Sequence, residues 1–171
     1  LSQGKSTPDM TVEQLVLHGR FPYLNYPRRY TQKDYEIAFS AMEQTGIAKH
    51  ARRSLHNLSG GMRQTAYIAM ALAQNTDYVF LDEPTTYLDI SHQLELMKTL
   101  RHLADGGKGV ITVMHDLPMA FSFSDKIILM NEGAILSDDA PEQICGQNTI
   151  TQVFGILLNR SEDGRSYSYK Y

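Results

Sequence analysis

The sequence predicts an α/β fold in which a helical half precedes a layer of strands and helices. Two observations lead to this prediction. Capped amphipathic patterns occupy the first part of the chain, and short apolar runs alternate with helical stretches in the rest. Strands that alternate with helices form parallel sheets through crossover connections. We therefore divide the chain into residues 1–75 and residues 76–171.

The composition narrows the classes of protein to which the chain can belong. Its 171 residues are enough for one ordinary domain, and a net charge of -3 gives no basic surface for nucleic acid. Cys145 is the single cysteine, so we expect neither a disulfide framework nor a cysteine metal site. The apolar stretches are too short to cross a bilayer, and residues 1–11 carry no secretory signal. We therefore expect any membrane association to go through a partner protein.

A capping box predicts the first helix. Thr11 followed by Gln14 is the pattern in which two side chains satisfy the N–H groups of a first turn, and apolar residues continue through Leu17. Residues 21–30, called the aromatic loop below, are rich in proline and aromatic side chains, which is typical of an irregular connection.

Two further helices have clear ends. Thr31 with Asp34 three residues later predicts a second helix, which Gly46 ends. Ser59 can cap a third helix that runs to about Gln74, because its apolar residues recur at helical spacing.

The second half alternates strands and helices. Residues 78–81 are apolar without alternation, which is typical of a strand buried on both faces of a parallel sheet. The sequence Asn131-Glu132-Gly133 is a turn signal and predicts a β-hairpin. The other predicted elements are a helix over 91–104, a strand over 110–114, a helix over 117–123, strands over 126–130 and 134–136, and a short helix from Pro141.

The sharpest local signal is the sequence Leu58-Ser59-Gly60-Gly61-Met62. A capping serine and two glycines leave backbone N–H groups accessible at a helix N-terminus, where the helix dipole also favours an anion. The alternative is a serine-capped helix with a flexible entry and no ligand. The residues alone leave both interpretations open.

Polar side chains end the first two predicted strands. Asp82 and Glu83 follow residues 78–81, at the edge where α/β sheets bind ligands. Asp82 could hold Mg²⁺ through water and Glu83 could polarise an attacking water, although ordinary surface carboxylates would give the same pattern. His115 ends the second strand, and a loop histidine without a role is the alternative.

In this order, the motifs resemble those of the ATP-binding cassette (ABC) ATPases. Residues 58–64 resemble the family signature LSGGQRQ, with Met62 in place of its glutamine. Residues 78–82 resemble the Walker B strand, with Glu83 at the position of the catalytic glutamate. The anion site does not depend on the side chain at position 62, so we expect a modest effect of that departure.

Three more motifs follow the same family pattern. Thr86-Tyr87-Leu88-Asp89 resembles the D-loop, His115 the switch histidine and Gln3 the Q-loop glutamine. The resemblance extends from residue 1 to about residue 155, which is nearly the whole chain.

The resemblance implies an N-terminally truncated P-loop NTPase fold of the ABC ATPase type, with ATP and Mg²⁺ as ligands. Residues 1–75 would hold the Q-loop and a helical subdomain with the signature motif. Residues 76–171 would form the C-terminal part of the RecA-like α/β core. The nucleotide-binding residues implied in this way are Gln3, Leu58, Ser59, Gly60, Gly61, Met62 and Asp89.

The resemblance also implies a role for each polar side chain. Asp82 and Gln3 would bind Mg²⁺, and Gln3 would also link the site to a permease. Glu83 would act on the attacking water, and His115 would orient the γ-phosphate. The residues of the signature motif would contact ATP bound by the opposite subunit.

Residues 8–23 and 83–90 resemble the ATPases of iron–siderophore, haem and cobalamin importers. This implies a subunit that couples ATP hydrolysis to uptake of an iron–siderophore or related metal chelate. Its implied partners are a second ATPase subunit, in a homodimer, and a transmembrane permease that holds it at the cytoplasmic face of the cell membrane. The aromatic loop is a candidate permease contact, and local packing is the alternative.

The sequence Gly4-Lys5-Ser6-Thr7 looks like the end of a Walker A motif, but we do not expect it to act as one. That motif needs an earlier glycine, a strand before it and a helix at its lysine, which Pro8 opposes. We expect the phosphate-binding loop and a central strand to lie upstream of Leu1. On this expectation the 171 residues alone hydrolyse no ATP. We expect the strands at 110–114 and 126–130 to close directly onto each other within a self-associated particle, and the alternative is that another copy of the chain supplies the missing strand.

Two other functions stay open at this point. One is a soluble ABC-type ATPase that is not linked to transport, although the second cassette or long coiled coil usual in such proteins is not seen. The other is a non-enzymatic fragment that binds a partner.

Overall fold

A computed structural model describes residues 10–86, 88–145, 147–164 and 166–170. The chain forms two compact units, residues 1–112 and residues 113–171, and each is described by itself. The predicted boundary between residues 75 and 76 lies inside the first unit and stays a prediction about subdomains. Gln3 and the sequence Gly4-Lys5-Ser6-Thr7 lie outside the described residues.

Helices dominate residues 10–75 of the first unit. They are α1 (Val12–His18), α2 (Gln32–Gln44) and α3 (Gly60–Ala73), with short 3-10 turns at Phe21–Tyr23, Ala48–His50 and Leu55–Asn57. Both α1 and α2 pack against α3 and against each other. Their apolar faces form a core whose fully buried side chains include Val12, Val16, Met42, Leu55 and Ile68.

The predicted helix starts are confirmed. The Thr11 and Gln14 side chains each accept a hydrogen bond from the other residue's backbone N–H, and Thr31 and Asp34 do the same at the start of α2. Ser59 caps α3 through its side chain. These reciprocal bonds satisfy N–H groups that a first helical turn would otherwise leave unpaired.

A glycine allows the end of α1 to approach α3 closely. A Cβ atom at Gly19 would lie 2.2 Å from the backbone oxygen of Met70 and 3.1 Å from Cβ of Ala73. No larger residue fits at this position without a backbone shift, so Gly19 sets the spacing between the two helices.

A strand–helix–strand unit follows, made of β1 (Tyr78–Asp82), α4 (Ile90–Asp105) and β2 (Gly109–Val113). β1 and β2 form a two-stranded sheet, and the Gly109 N–H donates to the Asp77 oxygen where both strands begin, as in a parallel pair. The expectation that β1 is buried on both faces is wrong. Tyr78 is 63% exposed and Phe80 is 72% exposed, whereas Val79 on the other face is buried.

The second unit is built from short elements. They are α5 (Leu117–Phe123), β3 (Ile127–Asn131), β4 (Ala134–Asp139), α6 (Pro141–Cys145), α7 (Thr149–Phe154), β5 (Leu157–Arg160) and β6 (Tyr167–Lys170). β3 and β4 form the predicted antiparallel hairpin, and β5 with β6 forms a second hairpin that was not predicted. The core of this unit consists of Leu117, Phe121, Ile144, Ile150 and Tyr167.

The expected direct pairing of the strands at 110–114 and 126–130 is wrong for the described residues. β2 pairs with β1, β3 pairs with β4, and the two pairs belong to separate sheets. The tight turn at Asn131-Glu132-Gly133, with positive φ at Glu132 and Gly133, makes β4 the hairpin partner of β3 along one edge. Across the same residues, no helix is long and apolar enough to cross a membrane.

Candidate functional site

The N-terminus of α3 has the cap and the open space that an anion site would need. Ser59 is its N-cap, and the Ser59 Oγ accepts a hydrogen bond from the Met62 N–H at 3.3 Å. Buried Leu58 anchors the chain just before this turn, and nothing lies within 4 Å of a Cβ atom placed at Gly60. The N–H groups of Gly60 and Gly61 belong to the first turn, where the helix itself offers no acceptor. We call residues 58–62 the signature turn.

The signature turn lies beside the connection between β1 and α4. A Cβ atom at Gly61 would lie 3.4 Å from Cδ2 of His92 and 3.4 Å from Cδ2 of Leu88. We call residues 83–89 the β1–α4 turn, of which residue 87 lies outside the description. Two of the motifs identified from the sequence, the signature and the D-loop, are therefore neighbours in the fold.

The candidate catalytic carboxylates lie where β1 ends. Asp82 is exposed, and Glu83 is half-buried beside fully buried Pro84. The Thr86 hydroxyl donates to Glu83 Oε2 at 3.1 Å, and the Thr86 N–H donates to the Glu83 backbone oxygen at 3.2 Å. Glu83 has a φ of 46°, in the left-handed region that L-residues rarely adopt. Such strain is often retained where a side chain must point in one direction for function.

Asp89 is held as an ionised cap at the start of α4. Its Oδ1 accepts from the His92 N–H at 3.0 Å, the Ser91 hydroxyl at 2.8 Å and the His92 Nδ1 at 2.8 Å. These hydrogen bonds, led by the His92 backbone N–H, lower the pKa of Asp89 to about 2. A carboxylate ionised at neutral pH can only accept, so Nδ1 of His92 carries the shared proton.

Gln93, which follows His92 in α4, stabilises the β1–α4 turn by hydrogen bonds to its backbone. Its Nε2 donates to the backbone oxygen of Thr85 at 3.2 Å and to that of Leu88 at 3.0 Å. The Leu88 N–H also donates to the Thr85 oxygen, at 3.2 Å. One amide side chain thus ties both halves of the turn to the first turn of α4.

His115 belongs to the second unit. It is exposed and lies two residues after β2, next to Asp116, which caps α5 by accepting the Met119 N–H at 2.9 Å. Its predicted role therefore stays a prediction, as does that of Gln3.

The carboxylates at the end of β1 suit a metal ion that takes most of its ligands from water and a bound phosphate compound. No group of three or more His, Cys, Asp or Glu side chains that could hold a metal is found in the described parts of the chain. Mg²⁺ commonly uses one or two carboxylates and completes its shell with water and phosphate oxygens. One exposed carboxylate, that of Asp82 at the end of β1, fits Mg²⁺ bound together with a nucleotide.

The sequence analysis missed a buried charged cluster at the C-terminus of α3. The Arg20 Nε donates to Asp34 Oδ1 at 3.0 Å, and its NH1 donates to the Ala73 oxygen at 2.9 Å. The guanidinium also lies 4.1 Å from the ring centroid of Tyr23, whose hydroxyl donates to the Gln74 oxygen at 2.7 Å. Arg20 therefore joins the end of α1, the start of α2 and the C-terminus of α3.

The aromatic loop divides into packed and exposed side chains. Phe21 lies under the Arg28 guanidinium, 4.7 Å from its ring centroid, and Tyr30 packs edge-on against Tyr35. Tyr26 is 97% exposed. Local packing thus explains part of the loop and leaves Tyr26 without such an explanation.

Comparison with known proteins gives consistent similarities. Residues 2–86 match the model of the ABC transporter family. The chain is 42% identical over 158 residues to the ferric enterobactin transport ATP-binding protein FepC of Escherichia coli (strain K12), covering 91% of this chain and 58% of that protein. It is 39% identical over 165 residues to the petrobactin import ATP-binding protein FpuD of Bacillus anthracis, covering 95% and 60%. The chain thus spans about 60% of the length of the curated relatives it matches.

Solved structures show the same fold. A metal-chelate type ABC transporter in an inward-facing conformation matches with a TM-score of 0.84 at 24% identity, over 98% of this chain and 69% of the other. An ATP-binding cassette of an ABC transporter in its ADP conformation matches with a TM-score of 0.75 at 21% identity, over 86% and 62%. The predicted fold class, a P-loop NTPase of the ABC type, is confirmed.

Proposed function

This chain belongs to the ABC transporter ATPase family, and from that membership we propose that it is part of an ATP-binding subunit of an importer. In this proposal, ATP hydrolysis drives the uptake of an iron–siderophore or a similar metal chelate. The names of the relatives support this substrate class, since they include importers of petrobactin, ferric enterobactin and iron(3+)-hydroxamate.

The observation that carries the proposal is the proximity of Leu88 to Gly61, since a Cβ atom at Gly61 would lie 3.4 Å from Leu88 Cδ2. Through it, an anion-binding helix start lies beside the turn that follows Asp82 and Glu83. In a pair of subunits each nucleotide would meet both kinds of group, the carboxylates of one subunit and the signature turn of the other, because phosphate oxygens require donors and the metal requires a carboxylate. A serine-capped helix with no ligand would need neither the open space at Gly60 nor acidic residues at the end of the neighbouring strand.

Each residue has a defined task in this proposal. The backbone N–H groups of Gly60 and Gly61 bind phosphate oxygens of ATP held by a second subunit, and Ser59 keeps that turn in shape. Asp82 holds Mg²⁺ through water, and Mg²⁺ when bound neutralises phosphate charge. Glu83, whose carboxylate Thr86 orients, accepts a proton from the attacking water. His115 orients the γ-phosphate.

The substitution Glu83→Gln tests the proposed activity. ATP turnover of the whole gene product, assembled with its permease in vesicles, should fall by at least about a hundredfold, because the general base is lost while the shape is kept. ATP should still bind and hold a dimer. Uptake of a radiolabelled ferric chelate should stop together with turnover.

Glu95→Gln is the matched control, since Glu95 is exposed on α4. It should leave turnover and uptake unchanged. Normal turnover of the Glu83→Gln protein would overturn the assignment of the base. Turnover that proceeds at the same rate without any permease, and no chelate uptake, would favour an ATPase that is not linked to transport.

We also propose that Tyr26 contacts the permease, because it is exposed while its neighbours in the aromatic loop have local partners. Cys145 is the only cysteine among these 171 residues, so replacing it with serine, together with any cysteine elsewhere in the whole gene product, permits a single new thiol at Tyr26. That thiol should crosslink to the permease, whereas one at Tyr78, an exposed tyrosine on β1 of the same unit, should not. Equal crosslinking from both positions would contradict the assignment.

A further inference from the structure

Two side chains at the start of α4 contact the site without belonging to any motif. His92 and Gln93 follow the cap residue Asp89, and together they contact the β1–α4 turn at several points. His92 is exposed and Gln93 is half-buried, so neither is part of the apolar core. Their contacts therefore ask for an explanation other than core packing.

The His92 ring lies between the two turns. On one edge, Nδ1 donates to Asp89 Oδ1 at 2.8 Å. On the other edge, Cδ2 would lie 3.4 Å from a Cβ atom at Gly61. Because Nδ1 and Cδ2 flank the same ring carbon, one rigid ring fills the space between the end of the β1–α4 turn and the signature turn.

Gln93 connects the same turn back towards Glu83. Its amide donates to the Thr85 and Leu88 oxygens. The adjoining Thr86 donates to the carboxylate and to the backbone oxygen of Glu83. Hydrogen bonds on either side of the Thr85–Thr86 peptide bond therefore connect Gln93 to the candidate general base.

We propose that His92 and Gln93 are positioning residues, which clamp the β1–α4 turn. The clamp holds Glu83 for the ATP of its own subunit, at a fixed spacing from the signature turn that serves the ATP of the second subunit. The proposal rests on the proposed function, because it concerns the same hydrolysis. Neither residue touches nucleotide in it, and each acts through the turn. Errors of about 1 Å in the position of a catalytic group can cost roughly a hundredfold in rate, so a clamp of this kind has a measurable effect.

Steady-state hydrolysis of Mg·ATP by the whole gene product tests the clamp. His92→Ala and Gln93→Met should each lower kcat by roughly tenfold or more and leave KM within about twofold, because positioning acts on the transition state and not on ground-state binding. The double variant should lose less than the product of the two single losses, because both residues hold one turn.

The control variants separate the clamp from ordinary surface effects. His102→Ala removes an exposed histidine from the last turn of the same helix and should leave kcat unchanged. Ser91→Ala removes another donor to Asp89 Oδ1 without touching the signature turn, so it should cost less than His92→Ala. His92→Asn keeps an amide donor near the Nδ1 position and should recover part of the lost rate.

Hydrogen exchange gives a readout that does not depend on activity. In His92→Ala and Gln93→Met, amides of residues 83–89 should exchange about tenfold faster, while those of α2 keep their wild-type protection. Faster exchange throughout the first unit would overturn the clamp in favour of a general loss of stability. An unchanged kcat in both variants, or a raised KM with normal kcat, would also overturn it. A wild-type protein that hydrolyses no ATP would instead overturn the proposed function, and the inference with it.

Discussion

Replacing Arg20 with methionine should loosen the helical part of the first unit. Methionine keeps most of the apolar stem but removes the charge and every donor. The Arg20 and Asp34 side chains are only 8% and 9% exposed, so the Asp34 carboxylate would be left buried without its counter-charge. The Ala73 oxygen would lose its side-chain donor as well.

The magnitude follows from these contacts. Removing one partner of a buried ion pair costs about 3–5 kcal/mol. Asp34 Oδ2 would still accept from the N–H and hydroxyl of Thr31, so we expect the lower end, about 3 kcal/mol. Arg101→Met is the matched control, because Arg101 pairs with Asp105 four residues along an exposed helix face. That control should cost at most about 0.5 kcal/mol.

Urea unfolding and hydrogen exchange measure the effect. The free energy of unfolding should fall by about 3 kcal/mol, and amides of α2 and α3 should exchange about a hundredfold faster. Adding Asp34→Asn removes the uncompensated charge and should recover roughly 1 kcal/mol or more. Equal losses for Arg20→Met and Arg101→Met, or no recovery in the double variant, would refute the reasoning.

Three further predictions follow from the same structure. Gly19→Ala should lower the free energy of unfolding by roughly 1–3 kcal/mol, because its methyl group meets the Met70 oxygen, whereas Gly60→Ala, which meets nothing, should leave the urea midpoint unchanged. The Thr31 hydroxyl and N–H lower the pKa of Asp34 in the folded protein below its ordinary 3.8. The ionised Asp34 therefore contributes its full stabilisation above pH 3.8 and loses it as the pH falls through the lowered pKa of the folded state. The difference in unfolding free energy between wild type and Asp34→Asn should stay constant near neutral pH and shrink below about pH 4. Glu83→Gly should keep the melting temperature within about 3 °C, since glycine tolerates the φ of 46°, and should abolish turnover; a melting temperature lowered by more than about 8 °C would show that the side chain matters for folding.

The features that the sequence predicts well are local ones. The pairs Thr11 with Gln14 and Thr31 with Asp34 are three residues apart, so the geometry of one helical turn decides whether they meet. The hairpin at Gly133 was predictable for the same reason, because a two-residue turn needs only its own backbone.

The features that were missed depend on distant parts of the chain. Arg20 meets the Ala73 oxygen across 53 residues, and no local pattern marks a carbonyl at a helix end as its acceptor. The apolar residues of β1 do not indicate which face of the strand packs against other elements, so the exposure of Phe80 was not predicted. The bond between His92 and Asp89 was within reach, because the two residues lie three apart at a helix start.

Because the cluster around Arg20 fixes one end of α3, a rotation about that end moves the other end of the helix. α3 has 14 residues and is therefore about 21 Å long, with the Ser59 turn at one end and the Arg20 contacts at the other. If a neighbouring molecule displaces α1 and α2, α3 turns with them, because Arg20 donates hydrogen bonds to the Ala73 and Gln74 oxygens at its C-terminal end. A tilt of about 10° about that end would move the Ser59 turn by roughly 3–4 Å, which is more than a hydrogen bond to phosphate can stretch. In the proposed function, a small displacement of α1 and α2 would thus be enough to bring the Ser59 turn of α3 to the nucleotide or to withdraw it.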